Sequence, residues 1–294
     1  MSIPKIDYIR PKTIGEACHL LQQYQSKAKI LAGGTDLLTR LKKREITPEI
    51  LIDLKGIPEL NKIVLNKDGS LIIGALTTIQ TLEDSALIKE RYGVLHQAAT
   101  QLGSTQVRHM GTIGGNLCNA APSAETAPAL IGVGAKARVI GASGTRTALV
   151  EDFFTGPGKT VLKEDEFLID LELPRFMPKT AGVYLKHTLR RAMDIAMVGI
   201  AVVVNLNSEG SVFQDVRIVM GAVAPIPMRA KEAEDSVRGK PMSIKLAEEA
   251  AELASEVAKP ISDIRASSEY RRKMIRVLTV DAIQRAWELA KAVP

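Results

Sequence analysis

Apolar residues along this chain recur with two different periods, and the change between them divides the sequence. Ile14, Ala17, Leu21 and Tyr24 share one helical face behind Thr13-Ile14-Gly15-Glu16, a capping box. A short apolar strand over 29–31 leads into Ala32-Gly33-Gly34-Thr35-Asp36, then a helix carrying Leu37, Leu38 and Leu41, then a strand over 50–54. That is a small βαβ-like unit. From Leu60 the texture changes: 62–65 and 71–73 flank Asn66-Lys67-Asp68-Gly69 and predict a hairpin. Helical spacing returns around 78–84 and 94–102, and the stretch 104–129 is rich in Gly, Asn, Pro and Ser. A second hairpin is expected from 137–140 and 147–150 around Ser143-Gly144, and a last strand over 166–173 stops at Pro174.

The stretch 175–180, with Pro178, reads as a linker. Beyond it, 183–186, 200–206 and 212–221 predict three strands, antiparallel because their connections are short. Two long helices close the chain, over 243–259 and from about 267, the second expected to bury Ile275, Leu278, Ala282, Ala286 and Leu289. The reading is α+β, with a first domain over 1–177 (subdomains 1–57 and 58–177) and a second over 178–294.

Composition removes several function classes. Aromatic residues are 4% of the chain, too few for a base-stacking platform, so the net charge of +6 reads as solvated helix faces, suited also to an anionic nucleotide. No apolar run approaches a membrane span and 1–11 holds no secretory h-region, so a cytoplasmic location is expected. Cys18 and Cys118 are the only cysteines, and His19, His96, His109 and His187 add no metal-ligand spacing. An iron–sulfur cluster needs four ligands, so any cluster or metal would sit in another chain.

Two glycine pairs carry the candidate chemistry. Gly33-Gly34 lies between a strand and a helix, where backbone can approach a ligand closely and free N–H groups favour a phosphate. By itself the pair reads as readily as a turn, with Thr35 or Asp36 capping the helix. Thr112-Ile113-Gly114-Gly115-Asn116 is expected inside a loop that runs on through Cys118, Asn119, Ser123 and Glu125. Two such sites in one domain suggest two loops gripping one extended charged ligand. Asn116, Asn119, Ser123 and Glu125 would offer hydrogen bonds to sugar hydroxyls and a ring edge, or simply stabilise their own turns. Gly132-Val133-Gly134-Ala135-Lys136-Ala137 formally matches a dinucleotide fingerprint, but a helix precedes it and a strand follows, the reverse of what that motif needs. There is no Gly-x-Ser-x-Gly elbow and no HExxH helix, which points to a bound cofactor doing the chemistry.

These residues resemble the flavin subunits of the molybdenum hydroxylases, nearest in motif to those of bacterial xanthine dehydrogenases and related to those of aerobic carbon monoxide dehydrogenases. The resemblance continues through Phe154-Thr155-Gly156-Pro157-Gly158-Lys159, Asp165-Glu166-Phe167-Leu168, the stretch 186–199, Gly221 to Arg229 and Ile264 to Arg271. It implies an FAD-binding domain of the vanillyl-alcohol-oxidase (PCMH) type in two subdomains, then a smaller α+β domain with a three-stranded antiparallel sheet and helices. It implies FAD as cofactor with no catalytic acid or base, and the double glycine grip, with only His109 and Cys118 near the second signature, predicts one FAD per chain, bound non-covalently. Lys29-Ile30-Leu31-Ala32-Gly33-Gly34-Thr35-Asp36 and Thr112-Ile113-Gly114-Gly115-Asn116 would hold the pyrophosphate, largely through backbone N–H groups. Asn119, Ser123, Glu125 (where the family usually has Asp), Leu168 and Lys186 would complete the site. The implied partners are a molybdenum-cofactor large subunit and a small subunit with [2Fe–2S] clusters, in a dimer of heterotrimers, with a soluble acceptor such as NAD+. A flavin subunit of a carbon monoxide, aldehyde or other N-heterocycle dehydrogenase fits the same pattern, and a non-catalytic nucleotide-binding or assembly module is the reading from another class.

Overall fold

The computed structural model describes residues 5–190 and 192–293. The first unit is β1 (Asp7–Ile9), α1 (Ile14–Tyr24), β2 (Ala28–Leu31), α2 (Leu37–Lys42) and β3 (Ile50–Asp53). Its three strands form a parallel sheet in the order β1-β3-β2. Thr13 caps α1 as the box predicts, accepting from Glu16 N–H at 3.1 Å, but the Glu16 carboxylate answers to the N–H of Lys12, one residue earlier. Ala17 and Leu21 are buried, with Ile14 and Tyr24 packed beside them.

The second unit holds β4 (Ile63–Leu65), β5 (Leu71–Gly74), α3 (Ile79–Asp84), α4 (Ala86–Arg91), α5 (Gly93–Thr100), α6 (Thr105–Met110), α7 (Ile113–Asn119) and α8 (Thr126–Val133). It continues with β6 (Lys136–Gly141), β7 (Gly144–Leu149), the small pair β8 (Phe154–Gly156) and β9 (Lys159–Thr160), and β10 (Phe167–Leu173). Both expected hairpins form within an antiparallel sheet ordered β4-β5-β10-β6-β7, with the late strand β10 at its centre.

The C-terminal unit is β11 (Thr180–His187), β12 (Val198–Leu206), β13 (Phe213–Gly221), β14 (Met228–Arg229), α9 (Lys231–Val237), α10 (Ile244–Val257) and α11 (Ser268–Ala292). Its antiparallel sheet has a fourth strand beyond the three expected, because β14 pairs only Met228 and Arg229 with β13, too short to leave an alternation. On α11 the buried face runs through Ile275, Ala282, Ile283, Ala286 and Trp287; Leu289 is 46% exposed and Leu278 only packs against the cluster.

One helix belongs to two units at once. Every residue of α8 is buried, and it packs on both β12 and β13. The formal dinucleotide fingerprint is explained here. A Cβ on Gly132 would lie 3.1 Å from Val203 Cγ2, and Gly134 ends α8 in the left-handed region at φ 75°. Those glycines serve packing and a helix stop, not a ligand.

Candidate functional site

The first glycine loop follows β2 and precedes α2. Among the described residues, the N–H groups of Gly33, Gly34, Thr35 and Asp36 have no protein acceptor. Neither Thr35 nor Asp36 caps α2; Asp36 occupies the cap position in helical geometry with no side-chain bond. Four adjacent free donors are costly to leave dry, so this loop needs a ligand or water. Gly34 has φ 78°, which a glycine adopts freely. Gly33 is glycine for another reason than the one read from sequence. A Cβ there would sit 2.1 Å from the Met110 carbonyl oxygen and 2.9 Å from Gly111 Cα, so what comes close is the second loop rather than a ligand.

The second glycine pair lies in the first turn of a helix, not in a loop. Thr112 caps α7, its hydroxyl accepting from Gly115 N–H at 3.0 Å. Gly114 N–H donates to Ala75 carbonyl at 3.0 Å and Ile113 N–H to Thr77 carbonyl at 3.0 Å. Asn116 N–H bonds the Thr112 carbonyl at 2.9 Å. Of the backbone donors expected at Thr112 to Asn116, those of Ile113, Gly114, Gly115 and Asn116 are engaged within the protein. The sequence misled because two glycines depress helix propensity, while these backbone ties to 75–77 fix the turn regardless. Gly115 brings α7 against the first loop: a Cβ on it would lie 3.9 Å from Ala32 Cβ.

The first glycine loop and the first turn of α7 border a cleft of about 440 Å³. It gathers Lys29, Ile30, Ala32 to Asp36, Thr112, Gly114 to Asn116, Asn119 and Leu168 from the residues singled out in the sequence. It does not gather Leu31 and Ile113, which are buried in the core, nor Ser123, Glu125 and Lys186. Leu168 stands beside a bulge where the register of β10 on β6 shifts at Ile169. The wall also contains Leu54, Leu76, Ile79, Leu102, Val107, Leu162 and Phe167, which sequence reasoning takes for core because an apolar wall carries the same signature. Arg40 and Gly158 line it too; Gly158 lies in one of the family-like stretches.

Glu125 and Lys186 meet each other instead of the cleft. Lys186 Nζ donates to Glu125 Oε1 at 2.8 Å and to the carbonyls of Gln101 and Asp194, each at 2.9 Å, which uses all three of its protons. Burial raises the Glu125 carboxyl above its ordinary range, and Lys186 only partly offsets it. The pair ties the start of α8 to β11. Cys118 does line the cleft, and burial pushes its thiol up to about 12.

Free donors in a row, a glycine loop beside a glycine-bearing helix turn, Lys29 and Arg40 among the lining residues and an apolar wall suit an elongated polyanion that ends in a flat ring system. Residues 4–176 match the family described as the FAD binding domain in molybdopterin dehydrogenase. The chain belongs to the FAD-binding subunits of the molybdenum hydroxylases. Residues 183–286 of this flavin subunit match the CO dehydrogenase flavoprotein C-terminal domain. It is 33% identical to the xanthine dehydrogenase FAD-binding subunit of Escherichia coli O157:H7, covering 95% of each chain. It is 34% identical to the carbon monoxide dehydrogenase medium chain of Hydrogenophaga pseudoflava, covering 97% of this chain and 98% of that one. The solved carbon monoxide dehydrogenase from Hydrogenophaga pseudoflava superposes with a TM-score of 0.94 at 35% identity, covering 98% of this chain and 99% of its counterpart. The flavin subunit binds FAD. No described helix is long and apolar enough to cross a membrane.

Proposed function

We propose that this flavin subunit receives electrons from [2Fe–2S] clusters of a small partner and passes them to NAD+. The electrons originate in hydroxylation of a xanthine-like N-heterocycle at a molybdenum centre in a large partner. The observation that carries the reading is the row of free N–H groups from Gly33 to Asp36, in residues that line a cleft with an apolar wall. Those donors would take the pyrophosphate, Asn116 and Asn119 the hydroxyls, and Leu54, Leu76, Leu102 and Leu168 would keep water from the ring. FAD, when bound, supplies a two-electron store that can also pass electrons singly. Two cysteines cannot ligate a cluster, so the electron donor would be another chain, in a dimer of heterotrimers.

The test is reconstitution. The purified chain with FAD is expected to reduce a dye with NADH and to leave xanthine untouched, and turnover should return when the iron–sulfur and molybdenum subunits are added. Xanthine hydroxylation by this chain alone, with iron and molybdenum absent by elemental analysis, would sink the proposal. A second reading has comparable support: the carbon monoxide dehydrogenase relative is 34% identical against 33% for the xanthine dehydrogenase one. Dye reduction failing with NADH but proceeding when carbon monoxide or an aldehyde is offered to the reconstituted complex would favour it.

A further inference from the structure

Behind the first glycine loop lies a chain of side chains outside the cleft wall. Asp53 ends β3 and is 1% exposed. Its Oδ1 accepts Lys55 N–H at 3.1 Å and lies 2.7 Å from Lys55 Nζ. Its other carboxylate oxygen accepts from the Tyr8 hydroxyl, with Arg10 Nε 3.9 Å away. Burial alone would raise the Asp53 carboxyl, but the bonds from Lys55 and Tyr8 outweigh it and hold the group below its ordinary range. Anchored this way, Lys55 Nζ donates to the Ala32 carbonyl at 2.9 Å.

The Ala32 carbonyl and the Gly33 N–H belong to one peptide unit. That unit is planar and trans, so the two groups point in opposite directions. A clamp on the carbonyl therefore fixes the direction of the donor. With a glycine on its far side the peptide could otherwise rotate at little steric cost and present the carbonyl oxygen to a phosphate.

We infer that Lys55 is a positioning residue for FAD: by holding the Ala32 carbonyl on the side away from the cleft it presents the Gly33 N–H to the pyrophosphate, without touching the cofactor. The inference rests on the reading that Gly33 to Asp36 take the pyrophosphate. A simple point-charge role fits less well, because the Asp53 carboxylate lies 2.7 Å from the same ammonium. The lysine also contributes nothing to the cleft wall, whereas its neighbour Leu54 does.

Lys55→Met keeps the stem and removes the donor; Lys55→Arg keeps a donor that can reach the carbonyl. The side chain is 42% exposed, so both are expected to fold, with Lys55→Gln as a second donor-weakened variant if Met does not. The full chain is stripped of flavin and titrated with FAD by fluorescence quenching. The Gly33 amide is followed in parallel by ¹⁵N–¹H spectra with and without FAD. FAD is expected to shift the Gly33 amide in the parent chain. In Lys55→Met that shift should shrink and Kd rise about tenfold, the scale of one charge-assisted hydrogen bond. Lys55→Arg should stay within about threefold of the parent. A parent chain that binds FAD with no shift at Gly33 would overturn the cradle itself. A clear Gly33 shift with unchanged Kd in Lys55→Met, or no recovery in Lys55→Arg, would overturn the role of Lys55 and leave the cradle standing.

Discussion

Cys118 lines the cleft with its thiol pushed up to about 12, so at neutral pH it stays protonated and is a poor nucleophile. His109 lies on the exposed face of α6, its Nδ1 within 2.8 Å of the Thr105 carbonyl, and is absent from the cleft wall. Non-covalent FAD is the expected outcome: acid precipitation should send all the flavin to the supernatant, and yellow colour in the pellet would count against it. The glycines separate more sharply than their motifs do. Gly33→Val is expected to destabilise the flavin-free chain by about 1–3 kcal/mol, because the new side chain meets the Met110 carbonyl at 2.1 Å. Gly115→Ala, whose Cβ would lie 2.8 Å from the Thr112 hydroxyl, disturbs only a helix cap and should cost about 1 kcal/mol. Urea unfolding of both variants without FAD checks the order; equal stabilities would mean that the Met110 carbonyl yields freely.

At the scale of elements, the sequence exposes what local chemistry decides and hides what distant backbone decides. The first glycine loop was legible because a strand, two glycines and a helix follow one another at Ala28 to Lys42. The helix α7 was not, since its turn is fixed by bonds to Ala75 and Thr77. Nor was the division of labour between the first loop and α7, which depends on which N–H groups already have partners. The start of α11 supplies a pH test. Asp263 accepts from the N–H groups of Arg265 and Ala266 and from Arg271, whose buried guanidinium also bonds the Met197 carbonyl. The Arg265 N–H bond is the largest cause holding the Asp263 carboxyl well below its usual range. A depressed carboxyl contributes stability that is present above its unfolded pKa, about 3.9, and is lost as pH falls toward the folded value. Asp263→Asn should therefore be less stable than the parent at pH 7, and the gap should close below about pH 4. Thermal unfolding across pH 2–7 measures it, and a gap that stays constant would remove Asp263 from the account.

Across the whole molecule, Glu125 and Lys186 join the first domain to the last with side chains only 10% and 6% exposed. Lys186→Met strands a buried carboxyl and takes the donor from the Gln101 and Asp194 carbonyls, and is expected to destabilise by about 3–5 kcal/mol, while adding Glu125→Gln should restore only the part owed to the carboxyl. Denaturant unfolding of the single and double variants gives the coupling directly; additive losses would show that the pair does not act as a unit. The α+β class was legible from alternating periods, whereas the seam between domains was not, because α8 is an apolar run that fits one wall as well as two. Its second wall has a consequence in time. Val219 of β13 leaves the ribosome 86 residues after Val133, the last residue of α8 (219 − 133). At roughly 5–20 residues per second that is about 4–17 s during which a helix with no polar face waits for its cover. For those seconds the nascent chain offers a sticky surface to any chaperone or neighbouring nascent chain. Slow codons placed between residues 133 and 219 would lengthen that interval and lower the soluble yield without changing one amino acid.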